Sequence, residues 1–414
     1  MKNLIKLSFF ILLISCSNNL VYENNIENDV RYLADDKLEG RKTGTAGEKA
    51  AAEYIASRFI NLNVSAKGTD KYYQDFYFKN STNPHEEIEF ENKQEGKQIN
   101  ARNVIGFINN NSSNTIVIGA HYDHLGYGDE NSSLYRGEDR LIHNGADDNA
   151  SGTALMLDLA NKLVMQKLEN NYMFIAFSGE EMGLLGSNYF LKNPTISKES
   201  INYMINLDMV GRLSEEKKLS VSGIGSSSLF KQTVKSNNKS FDLIEFDTSS
   251  TSRFSSSDHA SFYYEDIPVL NFFTGQHEDY HKPSDDYEKI NYSGIKEISD
   301  YIFDIIIDLD DNNKLSFKKV EAKEEETPRF RVSLGVMPDY LYNSGGMRIS
   351  AVTSEDKPAA KAGLKKGDIV VKMGEYDIID MMSYMRALSE FNSGDSTIII
   401  IKRDEDLIKK SVSF

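Results

Sequence analysis

The 414-residue sequence predicts an α/β protein: a central mixed, mostly parallel sheet with helices on both faces, followed by a small β-rich domain. Three observations carry this expectation. Apolar, β-branched or aromatic runs recur at residues 115–120, 173–178 and 201–207 and read as strands. Helical patterns alternate with them, the longest an amphipathic stretch around 293–310. Beyond Pro328 the pattern changes to short strands. Each of the three runs closes on a segment with metal-type ligands: GAHYDH with His121, FIAFSGEE with Glu180 and Glu181, and INLDMVG with Asp208. Two further segments, NGADDNASG around Asp148 and DYHKPSDD at His281, have the same character. The ligands therefore sit at the carboxyl ends of strands, where open α/β sheets place their active sites.

Taken in order, the chain begins with Lys2 and Lys6 before an apolar run, residues 9–14, too short to span a bilayer. The run stops at LISC and resembles a bacterial lipoprotein signal, with residues 13–15 as lipobox. The resemblance implies removal of residues 1–15, lipid on Cys16, and a chain anchored in the cell envelope, at the periplasmic face or the outer membrane. Cys16 is the only cysteine, so no disulfide supports the fold. Residues 16–28 read as a polar tether and 47–59 as a helix, followed by a Lys/Asn-rich stretch to about residue 100. The catalytic domain is placed at 29–312. The charged, apolar-poor run 313–328 is a linker, and the small domain occupies 329–414. A formal net charge of −16 repels nucleic acid and anionic lipid head groups, so neither is an expected ligand of the protein surface.

Two imidazoles, three carboxylates and no thiolate make a donor set that suits zinc best, manganese or cobalt less well. One of the carboxylates could bridge two ions roughly 3.5–4 Å apart. Asp147 and Asp148 are adjacent on an extended segment and point to opposite sides, so only one can bridge. Glu180 and Glu181 are divided in the same way, one to bind metal and one to move a proton.

With these segments assembled, the chain resembles the di-zinc exopeptidases typified by secreted bacterial leucine aminopeptidases, with glutamate carboxypeptidase and glutaminyl cyclase as relatives. The resemblance runs from about residue 29 to 310. It includes LADDKLEGRKTGTAGEKAAAEYI (33–55) and ARNVIGFI (101–108), the latter as first core strand. It implies a fold of the zinc-exopeptidase type and two zinc ions per chain, held by His121, Asp148, Glu181, Asp208 and His281. His121 and Asp208 would complete one ion, Glu181 and His281 the other, and Asp148 would bridge, followed by a cis peptide bond. By the same resemblance Glu180 is the general base acting on the di-metal-bound water. Asp123 orients His121, and Tyr280 donates to the oxyanion. Asp258 and His259 in SSSDHASF match a recurring family segment without a defined role. His85 reads as solvated loop, and His124, His143 and His277 as positions around the site rather than ligands.

The segment KPAAKAGLKKGDIVVKMG (357–374) strongly resembles a PDZ domain, with VSLGV (332–336) where the carboxylate-binding loop lies and a helix over 381–391 as the groove's other wall. It implies capture of peptide C-termini by strand addition. The function implied by the whole chain is zinc-dependent removal of N-terminal residues from peptides with free N-termini. A glutaminyl cyclase, a carboxypeptidase and a non-catalytic envelope adaptor are the alternatives. The first would use one zinc, the second would need a cationic carboxylate pocket, and the third would not need Glu180.

Overall fold

The computed structural model describes residues 25–79, 89–91, 98–129, 132–246, 257–320, 331–339, 341–342, 345–404 and 406–414. The expected signal peptide, Cys16, most of the tether, His85 and residues 321–328 of the linker lie outside the described residues.

The first helix, α1 (Ile26–Leu33), takes up the last three residues assigned to the tether, because Asn25 caps it by accepting from the Glu27 N–H at 2.9 Å. Helix α2 (Ala46–Asn61) starts at Thr45, whose hydroxyl accepts from the Glu48 N–H. Buried Arg58 on α2 grips Asp29 on α1 at 2.6 and 3.1 Å and ties the two helices together. The sheet that follows has ten strands: β1 (Ser65–Ala66), β2 (Tyr73–Phe78), β3 (Phe90–Glu91), β4 (Ile99–Ile108), β5 (Thr115–His121), β6 (Asn171–Phe177), β7 (Ile201–Leu207), β8 (Lys218–Ser222), β9 (Asp242–Phe246) and β10 (Val269–Phe273). Their order is β3-β2-β4-β6-β5-β7-β10-β8-β9, with β1 on β4.

The sheet is mixed but not mostly parallel: four pairings are parallel and five antiparallel. Parallel pairing needs a crossover, and α3 (Gly152–Val164), α4 (Leu185–Lys192) and α6 (His259–Tyr264) supply it for the central β6-β5-β7-β10 group, and α5 (Phe230–Asn237) for β8 and β9. On the flank, β1 to β4 follow one another with no intervening helix among the described residues and pair antiparallel. Strand polarity is not written in composition, which is why this flank escaped the sequence reading.

Both faces of the central strands are covered, which makes β5, β6 and β7 largely apolar. Ile116, Ile118 and Ala120 pack with Leu155 of α3 and with Ile298 and Ile302 of α7 (Tyr292–Asp310) on one face. Val117, Met173, Ile175 and Phe177 pack with Phe190 of α4 and Phe262 of α6 on the other. Residues 315–320, read from sequence as free linker, lie along this domain instead. Leu315 N–H donates to Asn202 Oδ1 at 2.7 Å, Lys318 N–H to the Ser226 carbonyl at 2.8 Å, and Val320 N–H to the Tyr263 hydroxyl at 3.0 Å.

A second sheet with its own core builds the C-terminal unit: β11 (Val336–Pro338), β12 (Met347–Val352), β13 (Ile369–Met373), β14 (Tyr376–Asp377), β15 (Ser396–Arg403) and β16 (Asp406–Ser413), all antiparallel. Leu334, Ile349, Val370, Leu388, Ile399 and Ile401 form its interior. The expected groove helix is Met381–Ser389, begun by a capping box between Asp380 and Ser383. The unit touches the first domain at Gly275, which has φ +101°: a side chain there would collide with Leu341.

Candidate metal centre

The strand ends deliver the donors. His121 is the last residue of β5, and Asp208 directly follows β7. Glu180 and Glu181 follow β6 after a turn at Gly179, whose φ is +73°. Asp148 lies in the tight turn before α3, and the Asp148–Asn149 peptide is cis. His281 comes from the loop after β10.

These five side chains converge. His121 Nε2 is 3.3 Å from Asp148 Oδ1 and 3.4 Å from Asp208 Oδ1. His281 Nε2 is 3.2 Å from Asp148 Oδ2 and 3.4 Å from Glu181 Oε2. Bonds of about 2.0–2.1 Å in tetrahedral array separate neighbouring donors by roughly 3.3–3.4 Å. The four distances match that edge, and the two oxygens of Asp148 fall one to each half. The donors thus fit two zinc-sized ions sharing Asp148.

A different grouping, His124 with Asp148 and Glu181, also lies within reach of one ion. The distances favour another role for His124. Its Nδ1 is 2.8 Å from Glu181 Oε1, a hydrogen-bond length, but 3.8 Å from Asp148 Oδ2. Donation from His124 to Oε1 leaves Oε2 facing His281, so His124 turns Glu181 rather than replacing a ligand. Glu180 sits on the other side, its Oε2 4.0 Å from His121 Nε2.

The supporting contacts divide the adjacent acids, which lie in a tight turn and not on the extended segment expected from sequence. Asp147 faces away from the donors, accepting from the Gly211 N–H at 2.6 Å and the Ser151 hydroxyl at 2.9 Å, with His277 Nε2 at 3.1 Å. Asp285 accepts the backbone N–H groups of both Asp147 and Asp148 and so fixes the turn. His281 Nδ1 faces the Ser132 carbonyl at 2.9 Å. For His121 the nearer acceptor is the main-chain carbonyl of Asp123 at 3.2 Å, not its carboxylate at 3.7 Å. The Asp123 carboxylate instead accepts the Glu180 N–H at 3.2 Å. Tyr280 lines the cavity beside the donors, its ring stacked on His281 at 3.8 Å. Asp258 and His259 are fully buried beneath the site.

Electrostatics agree with a cation-binding cluster. Burial alone would depress the His121 imidazole, but Glu180 and Asp208 outweigh it and hold it well above its ordinary value. His281 is raised to about 9 against the same burial, by Glu181 and Asp148. Burial would raise Asp148, yet hydrogen bonds from His121 and His281 hold it well below the carboxylate range. Glu180 is pushed well above its range by burial and by Asp208 and Glu181, with His121 opposing. The imidazoles are held charged by the carboxylates around them, a demand for positive charge that a divalent cation would meet.

Sequence reasoning passed over Asp285, His124's turn of Glu181, and Arg41, Thr43 and Glu48. The last three lie in the quoted stretch 33–55, but nothing in their spacing marks them as contacts of the site. Asp285 stands beside Asp286 in DYHKPSDD, and the pair gives no sign of which one turns inward.

Residues 103–306 match the family model for Peptidase family M28. Aminopeptidase YwaD of Bacillus subtilis is 33% identical over 168 residues, covering 38% of this chain and 36% of YwaD. The matched stretch spans less than half the length of the first curated relatives. Among solved structures, a Zn-dependent exopeptidase from Parabacteroides distasonis superposes with TM-score 0.54 at 20% identity, over 68% of this chain and 97% of that one. A glutaminyl cyclase from Bacteroides thetaiotaomicron superposes equally well, TM-score 0.54 at 19% identity, over 68% and 96%. At these identities the superpositions speak for the fold.

Proposed function

We propose that this chain is a zinc-dependent aminopeptidase that removes N-terminal residues from peptides. The observation that carries the reading is the pair of donor sets meeting at Asp148 with spacings of 3.2–3.4 Å, with Glu180 beside them. His121, Asp208 and one oxygen of Asp148 would hold one zinc, and His281, Glu181 and the other oxygen the second. Zinc bound there would polarise the scissile carbonyl and make water acidic near neutral pH.

The chain's own groups do the rest. Glu180 takes the proton of the attacking water at its carboxylate and returns it to the leaving amine, so no other proton carrier is needed. The Tyr280 hydroxyl donates a hydrogen bond to the oxygen that becomes negative, a contact worth roughly 2.7–4 kcal/mol. Asp123 holds Glu180 by its backbone, and His124 sets which oxygen of Glu181 faces the donors. Met209 and Phe273 line the cavity together with polar Ser257, Asn271 and Gln276, in a volume of about 90 Å³. The test is a panel of aminoacyl amides against their N-acetylated forms. Free amines should be cleaved and acetylated ones spared. Dialysis against a chelator should abolish turnover, and two zinc equivalents should restore it. Cleavage of the acetylated forms, or turnover that survives complete demetallation, would refute the reading.

The C-terminal unit is proposed to be a PDZ domain that engages peptide C-termini. Its β11 stands at the edge of the sheet, with only β12 beside it among the described strands, open to an added strand. A tethered long peptide would then have raised effective concentration at the zinc site. Deleting residues 330–414 should raise KM for peptides of ten or more residues more than for aminoacyl amides. Equal losses on both would assign the unit a purely supporting role, through Leu341 at Gly275.

A further inference from the structure

The stretch from Gly40 to Glu48 contributes no metal donor, yet it reaches three of the loops that do. Its backbone runs beside the segment after β5: His124 N–H donates to the Arg41 carbonyl at 3.3 Å and Gly126 N–H to the Gly40 carbonyl at 3.1 Å. The fully buried Arg41 guanidinium donates only to main-chain carbonyls: Tyr122 at 2.7 Å, Asn144 at 2.6 Å, Gly145 at 3.0 Å, and Leu33. It thereby clamps the His121 loop to the turn carrying Asp148. Glu48 accepts from the Gly44 N–H at 2.6 Å, the Tyr122 hydroxyl at 3.3 Å, and the Ser178 hydroxyl two residues before Glu180.

Within this brace one side chain lies a single hydrogen bond from the machinery. Thr43, 5% exposed, donates its hydroxyl to Asp123 Oδ2 at 2.9 Å. The other oxygen of Asp123 accepts the Glu180 N–H at 3.2 Å and lies 3.7 Å from His121 Nδ1. Asp123 is fully buried, and no second hydrogen bond to its Oδ2 is seen among the described residues, so Thr43 is what fixes the rotation of that carboxylate.

We propose that Thr43 is a positioning residue for both the general base and the first zinc, acting through Asp123. This rests on the aminopeptidase reading for its catalytic half only. The hydroxyl holds the carboxylate, the carboxylate holds the Glu180 backbone, the residue so fixed presents its main-chain carbonyl to His121 Nδ1 at 3.2 Å, and Arg41 and Glu48 keep the loops from drifting apart.

Thr43→Val keeps the shape and removes the donor. It should lower kcat about 10- to 100-fold, the usual worth of a hydrogen bond to a charged group, with KM within about twofold of wild type. Zinc affinity, read by competition with a chromophoric chelator, should weaken by roughly 10- to 100-fold, as loss of a group supporting a ligand does. Thr43→Ser, which retains the hydroxyl, should restore both. Two results would overturn the proposal: Thr43→Val indistinguishable from wild type in kcat and zinc affinity, or Val and Ser variants impaired alike, which would assign the effect to the packing of the whole side chain rather than to its hydroxyl. If wild type cleaves none of the aminoacyl substrates, the aminopeptidase reading falls, and the chelator competition still decides whether Thr43 supports the metal site.

Discussion

Glu180→Gln is expected to lower kcat by roughly 10²–10⁴-fold while both zinc ions stay bound. The side chain is 13% exposed and stands 4.0 Å from His121 Nε2, on the side of the cluster opposite His124 and Glu181. Glutamine has the same shape and cannot take up a proton. The change leaves the backbone hydrogen bond to Asp123 intact, because that bond uses the main-chain N–H. Geometry alone also permits Glu180 to act as a metal donor with His121 and Asp208, so metal content is the deciding measurement. A base leaves zinc at two per chain when removed, whereas a ligand takes zinc with it. Elemental analysis after gel filtration, run beside steady-state kinetics, separates the two. Near-normal turnover in Glu180→Gln would move the proton transfer to another group.

The strands that carry the donors were legible because the same physics writes both the fold and the site. A strand buried on both faces is largely apolar, so β5, β6 and β7 stand out despite the buried Asn202 and Asn206 in β7, and the ligand segments follow where each strand leaves the core. The alternation expected of an extended backbone is not what separates Asp147 from Asp148: both lie in the tight turn before α3, which turns the first toward Gly211 and the second toward both imidazoles. What the sequence did not carry is anything decided by a partner distant in the chain. The antiparallel flank depends on which edge β4 joins. The docking of residues 315–320 depends on Asn202 and Tyr263 being within reach. Arg41 is the sharpest case. A lone arginine between two turn-forming stretches reads as a surface cation, and only the fold reveals that four carbonyl groups surround it. The His121 tautomer is a smaller instance: H-x-D spacing pointed to the Asp123 carboxylate, but the chain turns so that the carbonyl comes closer and frees the carboxylate for Glu180.

Asp148→Ala should, by contrast, lose the metals themselves and take all activity with them. Asp148 is the one side chain that both halves share, with Oδ1 3.3 Å from His121 Nε2 and Oδ2 3.2 Å from His281 Nε2. Removing it leaves each ion one imidazole and one carboxylate, too few to hold zinc against water. Apparent zinc binding of about 10–16 kcal/mol spread over four ligands gives roughly 3 kcal/mol per ligand, so each ion should bind about 10²-fold more weakly, and both are affected at once. Loss of the bridge also strips one negative charge from between two cations, which weakens them further. Asp148→Asn isolates that charge while keeping the shape, and should fall between wild type and Ala in zinc content. The thermal readout is independent of catalysis. Zinc at 100 times its Kd stabilises the wild type by about 2.7 kcal/mol per site, and the melting temperature should fall on adding chelator. In Asp148→Ala the same zinc concentration is only about one Kd, so the stabilisation should shrink to about 0.4 kcal/mol per site and the melting shift nearly vanish. A variant that retains two zinc ions per chain and the zinc-dependent melting shift would rule out Asp148 as the bridge. Asp148→Ala and Glu180→Gln therefore fail in different ways, one without metal and one with it, and that difference separates holding the ions from moving the proton.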